Sequence, residues 1–199
     1  MKKSDFLISF FTGILVSFLF FSFLKSFQIK NFFILALNFL FFPLAFVFGL
    51  FICQILGKKF LIFLQIGKYV ISGTLATLCD IFIFKIERFI FPFETQTFIN
   101  VYKAISFLGA TFFKFFLNKF WVFEKREKEK MAKEITLFYF VTIFVYMLVN
   151  VFFFWLFTFK ILIPLGIEQK TAETFSIVLA ALFSWILNFL GYKFLVFKK

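Results

Sequence analysis

The chain has 199 residues, 63% of them hydrophobic and 26% aromatic, with 22 Lys and Arg against 10 Asp and Glu. A soluble domain of this length cannot hide so much apolar surface, so the composition excludes that class and points to an integral membrane protein. The net charge of +12 forms no long basic run, which fits membrane orientation and anionic headgroups and not a nucleic-acid partner, and the absence of His removes the usual general base and the commonest neutral metal ligand.

Six stretches meet the roughly 20 apolar residues that a spanning helix needs. The first, 6–24, follows Met1-Lys2-Lys3. Its apolar run is too long for the h-region of a signal peptide and no A-x-A-like site follows, so a retained helix is expected. The second, 32–56, is charge-free and contains Pro43, which predicts a kink. The third, 67–90, contains Asp80 and Lys85, and the fourth, 99–122, contains Lys103 and Lys114. The charged run EKREKEKMAKE (124–134) reads as a solvated helical turn with i,i+4 pairs, or as a docking site for a partner. The fifth, 135–159, is charge-free, as is the sixth, 174–196, as far as Tyr192.

Lys and Arg near the helix ends favour the side of the N-terminus by roughly two to one. The expected fold is therefore an all-α membrane protein with six transmembrane helices and both termini cytoplasmic, in the cytoplasmic (inner) membrane. Cys53 and Cys79 both fall in apolar segments and read as small apolar fillers. No metal site, cofactor or catalytic residue is expected.

The chain also repeats itself. Aligning Phe123 with Phe197, 74 residues on, pairs Val122 with Val196, Lys119 with Lys193, Asn118 with Tyr192, Lys114 with Asn188, Ala110 with Ser184 and Ser106 with Ala180. An offset of 70 pairs Tyr69 with Tyr139, Ser72 with Thr142, Ala76 with Tyr146 and Asp80 with Asn150. The spacing of four puts each set on one helix face. Helices 3–4 and 5–6 should thus form two hairpin repeats of the same orientation, related by a pseudo-two-fold axis along the membrane normal.

Small and polar stripes hold helices together in lipid, so structural glue accounts for their Ser, Thr and Ala members. Ionisable residues at depth cost more and face a partner or a wet cavity. Asp80 lies roughly 18 Å and Lys114 roughly 14 Å from the cytoplasmic end at 1.5 Å per residue, so the two are expected to face one interior and to pair. The candidate intramembrane substrate-binding set is Asp80, Lys114, Asn118, Asn150, Ser184 and Asn188. Lys68, Lys119, Trp121, Tyr192 and Lys193 form the candidate interface set, where ammonium groups and aromatics can meet a lipid phosphate.

Three segments carry a resemblance: GKYVISGTLATLCDIFIF (67–84), SFLGATFFKFFLNKFWVF (106–123) and VLAALFSWILNFLGYKFLVF (178–197). In this order and spacing the chain resembles GtrA-like membrane proteins over residues 60–199, with residues 1–59 as an added N-terminal hairpin. It departs from the family pattern at Lys114, where Asn is frequent, and at Phe120 and Phe194, where a second basic residue is common. The resemblance implies handling of a polyprenyl-phosphate-linked sugar in cell-surface polysaccharide synthesis. Two functions follow as expectations: a flippase for that lipid, or a non-transporting anchor or accessory subunit of a polyprenyl-phosphate glycosyltransferase. An enzyme is the weakest class, because one intramembrane carboxylate supplies no acid/base pair. The partners considered are the lipid-linked sugar, a glycosyltransferase and a second copy of the chain.

Overall fold

In a computed structural model, residues 2–26, 31–93, 95–127 and 129–198 are described, and their regular structure is helical throughout. The helices are α1 (Lys3–Ser26), α2 (Phe32–Gly57), α3 (Leu61–Ile90), α4 (Gln96–Leu117, prolonged by a π-helical turn over Asn118–Val122), α5 (Met131–Leu162) and α6 (Gln169–Val196). Asn31 starts α2 as an N-cap, its side chain accepting from the amides of Phe33 at 2.9 Å and Ile34 at 3.3 Å.

Among the described residues, five helices are long and apolar enough to cross a membrane: α1, α2, α3, α5 and α6. The protein is therefore a multi-pass membrane protein. The expected count of six spans meets five here, because the fourth stretch forms a helix but is not among them. Lys103 and Lys114 dilute its hydropathy. Of the cations behind the predicted orientation, Lys30, Lys128 and Lys199 lie outside the described residues, as does the side chain of Lys25.

The chain divides into two compact units, Met1–Glu124 and Lys125–Lys199. In the first, α1 and α2 meet at Gly13, where an added Cβ would lie 2.4 Å from the Cα of Pro43. Only glycine permits that approach. One turn on, Ser17 Oγ donates to the Asn38 carbonyl at 3.1 Å, and Asn38 Nδ2 donates to the Ser17 carbonyl at 2.8 Å. Such bonds replace the hydrophobic drive that lipid does not supply. Gly67 brings α3 against Cys53 and Leu50 of α2 in the same way. The N-terminal hairpin is thus packed onto α3 rather than standing apart.

In the second unit α5 and α6 form a hairpin. Phe153 stacks on Phe183 at 4.5 Å, Gly191 admits Val141, and Lys125 Nζ donates to the Lys198 carbonyl at 3.2 Å where the hairpin begins and ends. The run 124–134 is irregular over 124–127 and helical only from Met131. The expected helical turn is therefore confined to its last part.

Candidate functional site

Two charged clusters stand at different levels of α3. The first gathers the start of α1, the first turns of α3 and the end of α4. Lys68 and Asp5 are 1% and 2% exposed and form an ion pair of 3.1 Å. Lys68 Nζ also meets Glu124 Oε1 at 3.0 Å and lies 5.6 Å from the centre of the Trp121 ring. The Trp121 indole N–H donates to Asp5 Oδ1 at 2.7 Å, and Lys2 Nζ reaches Glu124 at 2.8 Å. The hydrogen bond from Lys2, with the bond and charge of Lys68, holds the Glu124 carboxyl below its ordinary value of 4.5 against an opposing push from desolvation. Lys119 is fully buried nearby in sequence. Of the candidate interface residues, then, Lys68 and Trp121 are brought together, and the ammonium groups of Lys68 and Lys119 are turned inward. Asp5 and Glu124 were not anticipated. Antiparallel helix order alone brings their positions to one end, and that was the available signal.

The second cluster centres on Asp80, whose side chain is 19% exposed. Lys103 Nζ donates to Asp80 Oδ2, and Ser106 Oγ donates to Asp80 Oδ1 at 2.6 Å. The predicted Asp80–Lys114 pair is therefore incorrect. Lys114 instead lies 5.3 Å over the ring of Tyr69. A lysine stem from the opposite direction along α4 reaches Asp80, and Ser106, already on the predicted stripe, completes the carboxylate's contacts.

The stripes themselves face inward. Ser106, Ala110 and Asn118 are buried on α4, as are Ala172, Ser176, Ala180 and Ser184 on α6. Ser72 Oγ donates to Asn118 Oδ1 at 2.7 Å. In the other unit, Thr142 Oγ1 and Tyr192 Oη are 2.6 Å apart, and the Tyr192 ring stacks on Phe138 at 4.1 Å. These two buried bonds join residues that the 70- and 74-residue offsets align. The twin endings also share a backbone form: Asn118–Val122 and Tyr192–Val196 are both π-helical, closed by Phe123 N–H to the Asn118 carbonyl at 2.9 Å and Phe197 N–H to the Tyr192 carbonyl at 2.8 Å.

Further along, the alignment drifts. Over Val145–Asn150, α5 is π-helical, and the wider turn shifts the register of side chains. Tyr146 is 66% exposed where Ala76 is 7% exposed, and Asn150 is half-buried. Lys193 is half-buried, its ammonium 5.7 Å over the Phe194 ring, whereas its counterpart Lys119 is fully buried. Among the described residues, the buried Oγ of Ser176 and Ser184 and Oδ1 of Asn188 have no hydrogen-bond partner. Such groups in a helix interior are where water or a polar ligand would be held.

Comparison with curated proteins and with solved structures gives no match. The family model described as GtrA/DPMS, transmembrane domain, matches residues 68–197, from the buried Lys68 to the second π-helical ending. With about two thirds of the chain inside that match, the protein belongs to the GtrA/DPMS transmembrane-domain family.

Proposed function

We propose that the protein is a flippase for a polyprenyl-phosphate-linked sugar in cell-surface polysaccharide synthesis, acting in the cytoplasmic (inner) membrane without catalysing a covalent step. The observation that carries this reading is the Asp80–Lys103–Ser106 cluster on α3 and α4. A partly exposed carboxylate and ammonium well inside an apolar bundle mark a polar pathway more often than a structural device. Asp80 lies about 12 residues beyond Lys68 on α3, or roughly 18 Å along the axis, more than half of a hydrocarbon core of about 30 Å. The family match supplies the substrate class.

This reading takes α4 as a sixth span. Contacts at Trp121 with Lys68, Asn118 with Ser72, Ser106 with Asp80 and Tyr102 with the Phe91 carbonyl run the length of α3, so α4 crosses whatever thickness α3 crosses. Even numbers of spans in both units then return both termini to the cytoplasm. Accessibility of single cysteines at positions 2 and 198 to an impermeant thiol reagent tests this; labelling of either from the outside would refute it.

A second reading, an accessory subunit of a glycosyltransferase, is favoured by the exposed Arg126, Glu127, Glu129 and Lys130 of the charged run. Reconstituted liposomes separate the two. The flippase reading expects the purified protein to move a polyprenyl-phosphate-linked sugar between leaflets. The accessory reading expects no movement, and loss of transferase activity when 125–134 is replaced by a Gly/Ser linker.

A further inference from the structure

Within the unit Met1–Glu124, the interior between α3 and α4 is sealed at one level and reachable at another. Where α1 begins, Asp5, Lys68, Ser72, Asn118 and Trp121 are all buried. Asp5 Oδ1 takes the ammonium of Lys68 at 3.1 Å and the indole N–H of Trp121 at 2.7 Å. Glu124 spans Lys68 at 3.0 Å and Lys2 at 2.8 Å. Three stretches distant in sequence are thus tied together: the start of α1, the first turns of α3 and the end of α4. Roughly 18 Å along α3, the side chains of Asp80 and Lys103 are 19% and 58% exposed, and Lys103 lines a cavity of about 590 Å³. Between the two levels, Ala76 of α3 and Ala110 and Phe115 of α4 are buried, so no passage joins them.

We propose that the cluster of Lys2, Asp5, Lys68, Trp121 and Glu124 is a latch that closes this interior toward the side of the N-terminus, and that its release opens the interior from that side. The inference rests on the flippase reading for what the opening serves, but the latch itself is read from the packing. Two features make it releasable. Asn118 is fully buried just inside it, and its Nδ2 has no hydrogen-bond partner among the described residues. An unmet buried donor costs free energy that entering water returns, so the closed arrangement is opposed from within. Trp121 stands in the π-helical turn Asn118–Val122, a rare winding found mostly at functional sites. Rewinding that turn as α-helix rotates the indole about the α4 axis and off Asp5. The charges of Asp5 and Lys68, once parted, need water, so separation and wetting occur together and the latch has two states rather than a continuum. The N-terminal hairpin, which precedes the matched residues 68–197, thereby gains a role: α1 supplies the carboxylate that holds the closed state.

The test is thiol accessibility in the full chain, in sealed vesicles of each orientation. The reporter is Ala76→Cys, a buried position between the latch and Asp80, with Cys53→Ala and Cys79→Ala removing the native thiols. An impermeant thiol reagent applied from the side of the N-terminus should label it slowly. Adding Asp5→Asn with Lys68→Met, or Glu124→Gln alone, should speed that labelling at least tenfold and leave the rate from the opposite side no faster. Glu124 is half-exposed, so its variant carries the test if the double variant does not fold. Equal rates from the side of the N-terminus with and without the latch overturn the proposal, as does equal acceleration from both sides, which would mean loosened packing. In a separate chain, Lys2→Cys and Glu124→Cys bridged by a short reducible cross-linker should stop leaflet exchange until the bridge is reduced; undiminished exchange overturns the latch. Latch-dependent labelling with no leaflet exchange by the wild type would refute only the flippase reading.

Discussion

Replacing Lys68 by Met removes the cation from a cluster in which the facing Asp5 is 2% exposed. Asp5 would keep the indole N–H of Trp121 at 2.7 Å but lose its only ion pair among the described residues, at 3.1 Å. Breaking a buried pair from one side costs about 3–5 kcal/mol, because a desolvated charge is left behind. For a chain of this size that corresponds to a drop of roughly 6–20 °C in unfolding midpoint. Met retains most of the stem volume, so little of the loss comes from packing. The double variant Asp5→Asn, Lys68→Met should recover most of it, since the amide oxygen still accepts from Trp121 and no charge is stranded. Thermal unfolding in detergent, followed by intrinsic Trp fluorescence, reads both. A Lys68→Met midpoint within the equivalent of about 1 kcal/mol of wild type would refute the reasoning, as would a double variant no better than the single one.

Glu124 gives a pH dependence. Its folded value is depressed below 4.5 by Lys2 and Lys68, so its contribution is full above that value and is lost as pH falls through the depressed one. The stability gap between wild type and Glu124→Gln should therefore be present at pH 7 and close on acidification below 4.5; a gap that persists or widens in acid contradicts this. Gly13→Ala would set a Cβ 2.4 Å from the Pro43 backbone, which no rotamer change relieves, and should cost about 1–3 kcal/mol in the same unfolding assay. Thr142→Val leaves the buried Tyr192 hydroxyl without its 2.6 Å partner and should cost about 1–3 kcal/mol. Adding Tyr192→Phe to Thr142→Val should cost little more, and additive losses would show that the two hydroxyls do not act as a pair.

The sequence pattern carried the membrane class, the helical segments and both polar stripes, because spacing by four is a direct image of one helix face. Ser106, Ala110 and Asn118 on α4, and Ala180 and Ser184 on α6, are buried as that spacing requires. The partner of Asp80 was not legible. Depth along an axis placed Lys114 within reach, but Ser72 opposite Asn118 sets the level of Asp80 near Ala110, between two lysines. Which stem turns toward the carboxylate depends on neighbours such as Tyr69, which axial distance ignores. The π-helical turns were equally hidden. Asn118–Val122 and Tyr192–Val196 share Lys, Phe and Val at matching positions, yet no residue preference marks a π turn, and the wider turn over Val145–Asn150 leaves Tyr146 exposed where its counterpart Ala76 is buried. The α1–α3–α4 end cluster depends on helix order across more than a hundred residues, beyond the reach of local pattern.

The central claim is that Asp80, held by Lys103 and Ser106, lines a path for a lipid-linked sugar. Its most direct test is leaflet exchange of a polyprenyl-phosphate-linked sugar in proteoliposomes, read by an impermeant reagent that modifies only the outer-leaflet sugar. Wild-type protein should equilibrate the lipid between leaflets, and Asp80→Asn should abolish exchange while its unfolding midpoint stays near that of wild type. Exchange at the wild-type rate by Asp80→Asn, or none by the wild type, would contradict the account.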